Sequence, residues 1–360
     1  MNEEKVEILE EEIEIEPEQE ESEAYVRYEI TSFPSDFTLE VLNNRYTSGE
    51  IVIPPFQRKF VWSQDRASLL IDSFLMGLPV PSVFFYVDEE NKSVVIDGQQ
   101  RLKSIFYFFE GYFGEPDIKG KRKVFNLTGL SDKNPFSRKT YSDIIDTDDG
   151  RKLRSSVLRA MNIMQKAPKD GRDTAIYHIF ERLNKGMVPL QPQEIRNCIY
   201  RGTFNKLLNE LNESPNWRKV MGKEKLDSRQ KDVELTLRVI ALYKEGDNYQ
   251  APMKEFLNSF MSRHRYPGQD WLDDVKEKFI GASTLIVNEI SDEPFRPRHR
   301  LNSSMLDSVF SIIMKDLDNL PTDIQQRYRN IPDNIWLSFG TNKTEVVKSR
   351  LSEVRKVLIG

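Results

Sequence analysis

The sequence predicts an α+β domain followed by an all-helical domain. Between residues 51 and 96, short β-rich runs (Ile51-Val52-Ile53, Val83 to Val87 and Ser93 to Ile96) alternate with helical segments. From Thr174 the apolar residues recur at helical spacing almost to the end, as in Ile176, Ile179, Phe180 and Leu183. No internal repeat of fixed period runs through the chain, so it is not a solenoid. The period changes near residues 165–170. The expected organisation is an acidic, disordered segment over 1–25, an α+β domain over 26–168 and a helical domain over 169–360.

The elements follow in chain order. Ser35 to Tyr46 places Phe37, Val41 and Leu42 at helical spacing, and Ile51-Val52-Ile53 then enters a stiff Pro54-Pro55 turn. Ser63 suits the N-cap of a helix through Leu70, Ile71, Phe74 and Leu75, closed by Gly77 and Pro79. Val83 to Val87 and Ser93 to Ile96 flank Asp88-Glu89-Glu90-Asn91, a hairpin signal. A helix over Gln99–Glu110 comes next, then a strand over Lys123–Leu127, polar loop over 130–150 and a returning strand over Val157–Gln165. Asn184-Lys185-Gly186-Met187-Val188-Pro189 reads as a loop leading into Leu190 to Tyr200. Further helices are expected at 203–212, 229–244, 251–264, 269–290, 302–317 and 342–358.

Composition narrows the function classes. The 360 residues suffice for two core-bearing units. The longest apolar-aromatic run, Ile105-Phe106-Tyr107-Phe108-Phe109, is far too short to span a bilayer, and the acidic start carries no secretory or mitochondrial address. The one cysteine, Cys198, excludes an internal disulfide and a cysteine-built zinc site. The expected setting is cytoplasmic. The net charge of −5 hides an asymmetry: residues 1–25 hold twelve Glu and one Lys, or −11, so the other 335 carry +6. An acidic segment on a mildly basic body reads as a solvated leader or as a nucleic-acid mimic covering a basic groove. His178, His264 and His299 do not pair at metal-ligand spacing, and neither a P-loop nor a Gly-x-Ser-x-Gly elbow is present.

The richest motif is Val94-Val95-Ile96-Asp97-Gly98-Gln99-Gln100-Arg101-Leu102: a strand, an acidic-glycine turn and a helix start. A helix start offers unpaired N–H groups and the positive end of the dipole, which suit an anion. Gly98 leaves room for a phosphate to approach, and Arg101 is able to return its guanidinium as a two-pronged donor. Residues 97–101 are therefore the candidate nucleotide site. Asp97 serves as an ordinary turn residue and cap, or as a carboxylate that holds Mg²⁺ and positions water. Gln99 and Gln100 are not bases but orient water or bond a base; their directions differ, so at most one faces a ligand.

Upstream, Pro54-Pro55-Phe56-Gln57-Arg58-Lys59-Phe60-Val61-Trp62 presents Gln57 and Arg58 on a stiffened backbone among flat aromatic rings. That combination suits stacking plus phosphate contact, while core aromatics and an Arg58–carboxylate pair are the structural alternative. Downstream, Asn184, Lys185 and Arg196 either close over a nucleotide or cap and pair within their own helices. Arg296-Pro297-Arg298-His299-Arg300 is a short basic cluster, a phosphate-backbone contact or a solvated patch.

These strings in order, Ile53-Pro54-Pro55-Phe56-Gln57-Arg58, Leu70-Ile71-Asp72-Ser73, Gly77-Leu78-Pro79-Val80-Pro81, Asp97-Gly98-Gln99-Gln100-Arg101-Leu102, Phe180-Glu181-Arg182-Leu183-Asn184 and Leu190-Gln191-Pro192-Gln193-Glu194-Ile195-Arg196-Asn197, resemble the N-terminal domain of GmrSD-type, modification-dependent restriction enzymes over roughly residues 35–310. The resemblance implies a ParB/sulfiredoxin-like core whose glycine-to-arginine turn binds nucleotide phosphates. It also implies NTP binding or hydrolysis coupled to recognition of foreign or modified DNA in prokaryotic defence against phage. By position, Asp97, Gly98, Gln99, Gln100 and Arg101 form the nucleotide turn, with Asp97 and Arg101 catalytic and Asp97 the metal ligand. Gln57 and Arg58 join the nucleotide set, and Lys59, Trp62, Arg298 and Arg300 contact DNA. Sulfinic-acid reduction is excluded, because Gln99 stands where that chemistry needs cysteine. Lys103-Ser104 departs from the family pattern, and no HNH histidine motif follows residue 310.

The resulting expectation is an NTPase that uses a nucleoside triphosphate with Mg²⁺, senses DNA and works with a partner nuclease, a defence-system subunit or a second copy of itself. The alternatives are a non-hydrolytic, ParB-like nucleotide switch on DNA and a nuclease acting through Asp97.

Overall fold

The computed structural model describes residues 29–54, 60–88, 90–117, 120–167, 178–179, 182, 191–291, 294–296, 300–336 and 342–360. The described residues form two compact units, one within Arg27–Lys169 and one within Leu190–Gly360. The first is α+β and the second helical, as the change of period predicts. No helix among the described residues is long and apolar enough to cross a membrane.

The α+β unit is built on a five-stranded mixed sheet ordered β1-β7-β3-β4-β2, comprising β1 Glu29–Thr38, β2 Ile51–Val52, β3 Val83–Val87, β4 Ser93–Asp97 and β7 Val157–Ala167. β1 and β4 run antiparallel to β7 and β3, whereas β7–β3 and β2–β4 are parallel. A two-stranded ribbon, β5 Tyr112–Phe113 and β6 Lys123–Val124, stands apart. The helices are α1 Leu39–Thr47, α2 Gln64–Met76, α3 Gln99–Glu110, α4 Tyr141–Ile144 and α5 Asp148–Ser155.

Alternation along the strands sends Val83, Phe85, Val95, Leu158 and Ala160 into one core with the apolar faces of the helices. From α3, Leu102, Ile105, Phe106 and Phe108 are all 3% exposed or less; each such side chain contributes about 1.5–3 kcal/mol of burial. Helix α2 starts where Ser63 Oγ accepts the Arg66 N–H at 3.3 Å, and stops at Gly77, whose φ of 77° satisfies the last carbonyls.

Two readings change here. Ser35 to Phe37 is strand, not helix: β1 runs to Thr38, paired residue for residue with β7 down to Val157, and the helix starts at Leu39. Within the 130–150 segment read as loop, Tyr141–Ile144 is helical and a second helix, Asp148–Ser155, begins. Thr140 and Asp143 form a reciprocal capping box for α4, and Thr147 caps α5.

The helical unit holds α6 Pro192–Ile199, α7 Thr203–Asn212, α8 Pro215–Met221, α9 Lys231–Glu245, α10 Met253–Arg263, α11 Gln269–Leu285, α12 Ser303–Lys315, α13 Ile324–Arg329 and α14 Thr344–Leu358. α11 ends in a π-turn over Ile286–Ile290. The core is organised by Trp217, which packs on Phe279 and Phe310 at 5.1 and 5.4 Å and donates to Asn212 Oδ1. Charges are buried through it: Arg238 donates to Asp307 Oδ2 at 3.0 and 2.7 Å, and Arg350 reaches the same aspartate and Ser308. Burial works against the Arg238 charge, but the Asp307 and Glu234 carboxylates outweigh it and hold its pKa up.

Candidate nucleotide-binding turn

Asp97 closes β4, Gly98 turns the chain and Gln99 opens α3. Gly98 has φ 97° and ψ 10°, a left-handed conformation that costs an L side chain about 1–2 kcal/mol. Sterics reinforce this. A Cβ on Gly98 would lie 2.4 Å from Val83 Cγ1 and 3.2 Å from Arg101 Nη2. Glycine is thus required by the neighbouring strand β3, a packing reason independent of any phosphate. Gly98 supplies no side-chain cap to the start of α3, and a helix start of this kind suits an anion.

Arg101, one turn into α3, folds back over the turn. Its Nη2 donates to Asp97 Oδ2 at 3.0 Å and to the Ser82 carbonyl at 3.2 Å. The pair is asymmetric: the Asp97 side chain is 48% exposed and that of Arg101 17%. Arg101 Nε is buried without a hydrogen-bond partner, and Asp97 engages through one oxygen. A guanidinium with an unspent buried donor, beside an exposed carboxylate, is what a partly assembled anion site looks like.

Gln100 has a definite task. Its Oε1 accepts the N–H groups of Val61 and Trp62 at 3.0 and 3.3 Å, tying the helix start to the end of the upstream motif. Its carbonyl is in turn bonded by Ser104 Oγ at 2.7 Å. Trp62 carries the Arg66 guanidinium on its ring at 4.5 Å, and Phe60 meets Tyr107 and Phe113 edge-on. The two motifs, 38 to 39 positions apart, therefore meet through one side chain. Gln99 is half-buried beside it.

Lys103 does not face the turn. Its Nζ pairs with Glu115 at 2.7 Å, and Tyr107 donates to the same carboxylate. The Lys103 bond, with that of Tyr107, holds Glu115 below the usual carboxylate range; burial and Glu115 push the Tyr107 phenol far up.

Arg196 lies in the core of the helical unit. It is 1% exposed and donates to Asn258 Oδ1 at 2.8 Å, Glu234 Oε2 at 2.9 Å and Gln193 Oε1 at 3.2 Å. Its neighbours do similar work: Glu194 caps α6 and pairs with Arg229, and Asn197 bonds Gln193 and Gln230. Arg300 is exposed. Arg296, at the head of the basic cluster, caps α8 through the carbonyls of Val220 and Met221. Gln57, Arg58, Lys59, Asn184, Lys185 and Arg298 lie outside the described residues, as does the acidic segment 1–25.

Among the described residues no three His, Cys, Asp or Glu side chains converge on a metal position. A divalent ion would rest on Asp97 and the phosphates it accompanies. Cys198 is buried and its thiol pushed well up by burial, so it is inert.

Residues 39–201 match the family described as the GmrSD restriction endonuclease, N-terminal domain. The match runs from the first residue of α1 through the turn to just beyond α6. No curated protein and no solved structure matches the chain. Over residues 39–201 the chain is therefore similar to the N-terminal domain of GmrSD-type restriction enzymes.

Proposed function

We propose that this protein is the nucleotide-dependent component of a restriction-type defence system, hydrolysing a nucleoside triphosphate at the 97–101 turn in response to modified DNA or a partner subunit. The family match supports the restriction setting. The observation that carries the nucleotide reading is the turn itself: a helix start, a left-handed glycine at its cap, and Arg101 folded over both with a buried donor unspent.

In this reading the α3 N–H groups and Arg101 bind phosphate oxygens. Mg²⁺, carried in with the triphosphate, would be held through Asp97 and would supply charge neutralisation at the phosphates. Asp97 first orients Arg101 and then, released by the incoming phosphates, offers its carboxylate to the ion or the attacking water. Gln100 reports occupancy to Val61 and Trp62 through its shared acceptor oxygen. Trp62, Lys59, Arg298 and Arg300 are the proposed DNA contacts.

A second reading has an observation of its own. Asp97 is already engaged by Arg101, and no acidic cluster stands beside it among the described residues. This favours a switch that binds the nucleotide and releases it intact. A nuclease centred on Asp97 would need a second carboxylate for two-metal chemistry.

The test is calorimetry with ATP, GTP, CTP and UTP plus Mg²⁺, and phosphate release with and without modified DNA. Wild-type protein is expected to bind one of the four, and Arg101→Ala to lose binding while keeping its circular dichroism spectrum. Undiminished binding by Arg101→Ala rejects the site. Binding without phosphate release selects the switch.

A further inference from the structure

We propose that the cavity between α9, α12 and α14 binds a small phosphate-bearing ligand, separately from the 97–101 turn. The cavity measures about 300 Å³, the lower end of the range for small-molecule sites. One face of α14 lines it: Lys348, Leu351, Ser352 and Arg355 stand at i, i+3, i+4 and i+7. Leu351 joins Leu242 of α9 and Ile312 of α12 in an apolar floor, all three at most 8% exposed. Gly246, at the end of α9, admits the approach: a Cβ there would touch Leu351 Cδ1 at 3.0 Å.

Charge decides the ligand. The lining holds three cations, Lys315, Lys348 and Arg355, against one carboxylate, Asp247, and with Asp316, which pairs with Arg355, the local balance is +1. Their fields converge: Lys315 by direct contact, then Arg355 and Lys348 at longer range, all hold Asp247 below the usual carboxylate range. The partners are unequally committed. Arg355 is fixed by Asp316 at 2.8 Å, a carboxylate only 12% exposed. The Lys315–Asp247 pair, at 2.7 Å, uses a carboxylate that is 84% exposed, a pairing of about 1 kcal/mol or less that an anion readily displaces. Lys348 makes no ion pair, and Ser352 no side-chain hydrogen bond, among the described residues.

A phosphate dianion matches this arrangement. Two lysines and a serine hydroxyl supply its donors, Arg355 supports the potential, and the apolar floor accepts a small body attached to the phosphate. A nucleic-acid backbone fits poorly, because it calls for a stripe of exposed cations rather than one concave pocket. A free inorganic ion and a phosphomonoester share the chemistry, and the floor separates them.

The experiment is calorimetric titration of the full chain with inorganic phosphate, inorganic pyrophosphate and phenyl phosphate, with sodium chloride at matched ionic strength as control. Arg101→Ala is made alone and combined with Lys348→Glu or Ser352→Asp. Binding is expected to persist in Arg101→Ala, which removes the turn's own phosphate contact, and to weaken at least tenfold when Lys348→Glu or Ser352→Asp is combined with Arg101→Ala. Phenyl phosphate binding more tightly than phosphate identifies a phosphomonoester. Equal affinity identifies the free ion. No heat from any phosphate, binding lost with Arg101→Ala alone, or binding undiminished in both combined variants overturns the proposal.

Discussion

Replacing Gly98 by alanine isolates the force that shapes the turn. Two costs are expected. The left-handed backbone at φ 97° costs alanine about 1–2 kcal/mol. The new Cβ meets Val83 Cγ1 at 2.4 Å, at least 1 Å inside ordinary contact, and relieving that overlap in a packed core costs about 1–3 kcal/mol. Gly98→Ala should therefore destabilise the α+β unit by about 2–5 kcal/mol. Val83→Ala removes the clashing methyl and costs about 2 kcal/mol as a cavity on its own. In the double variant the Cγ1 overlap is gone while the Cβ of residue 83 still stands 2.9 Å away, so the two effects should fall short of additivity by about 1–2 kcal/mol. Urea unfolding followed by tryptophan emission is the assay, since Trp62 is the one tryptophan of residues 29–167 and reports the α+β unit. Additivity within about 0.5 kcal/mol would refute the steric account. A double variant that regains stability and still fails to bind nucleotide would show a second need for glycine at the turn.

Three further expectations follow from other contacts. Gln100→Ala removes the acceptor shared by Val61 and Trp62 and should cost about 1–2 kcal/mol with a shift in Trp62 emission, whereas Gln100→Glu, which keeps an acceptor at a helix start, should restore both. Asp307→Ala strands Arg238 and Arg350 together in the helical core and should cost about 3–5 kcal/mol in urea unfolding; a loss under about 1 kcal/mol would mean the two guanidinium groups find other partners. Glu245 is held below its ordinary value of 4.5 by the His264 hydrogen bond and by Arg263. Its contribution is thus complete above pH 4.5 and lost as pH falls through the lowered folded value. Thermal melts across that window should show a shallower acid limb in Glu245→Gln, and an unchanged limb would remove Glu245 from the account.

Local signals in the sequence were legible wherever a cap or a glycine marks an end. Ser63 and Gly77 bound α2, and Gly98 and Gly111 bound α3, because caps act within one turn of chain. Residues 203–212 form a helix over the expected span for the same kind of local reason. Strand β1 was not legible at Ser35–Phe37, since pairing with β7 more than a hundred residues later decides the conformation there. Helices α4, α5 and α8 carried readable signals, Thr140 with Asp143, Thr147, and Pro215 at a first turn, but they are short and polar enough to pass for loop. At the turn, the sequence identifies the residues but not their neighbours. Val83 forbids a side chain at position 98 through sheet register, and Gln100 meets residues 61 and 62 through tertiary packing. Arg196 is the extreme case: its carboxylate and amide partners stand 38 and 62 positions away.

The placement of α6 bears on how this protein is to be cut. The family match stops at residue 201, yet α6 buries seven of its eight residues, and Arg196 finds its acceptors on α9 and α10. A truncated polypeptide ending at 201 would carry an orphan segment with a bare cation and an oily stripe, a recipe for clumping in the test tube. Recombinant fragments that keep residues through at least Arg263 retain both helices that receive it.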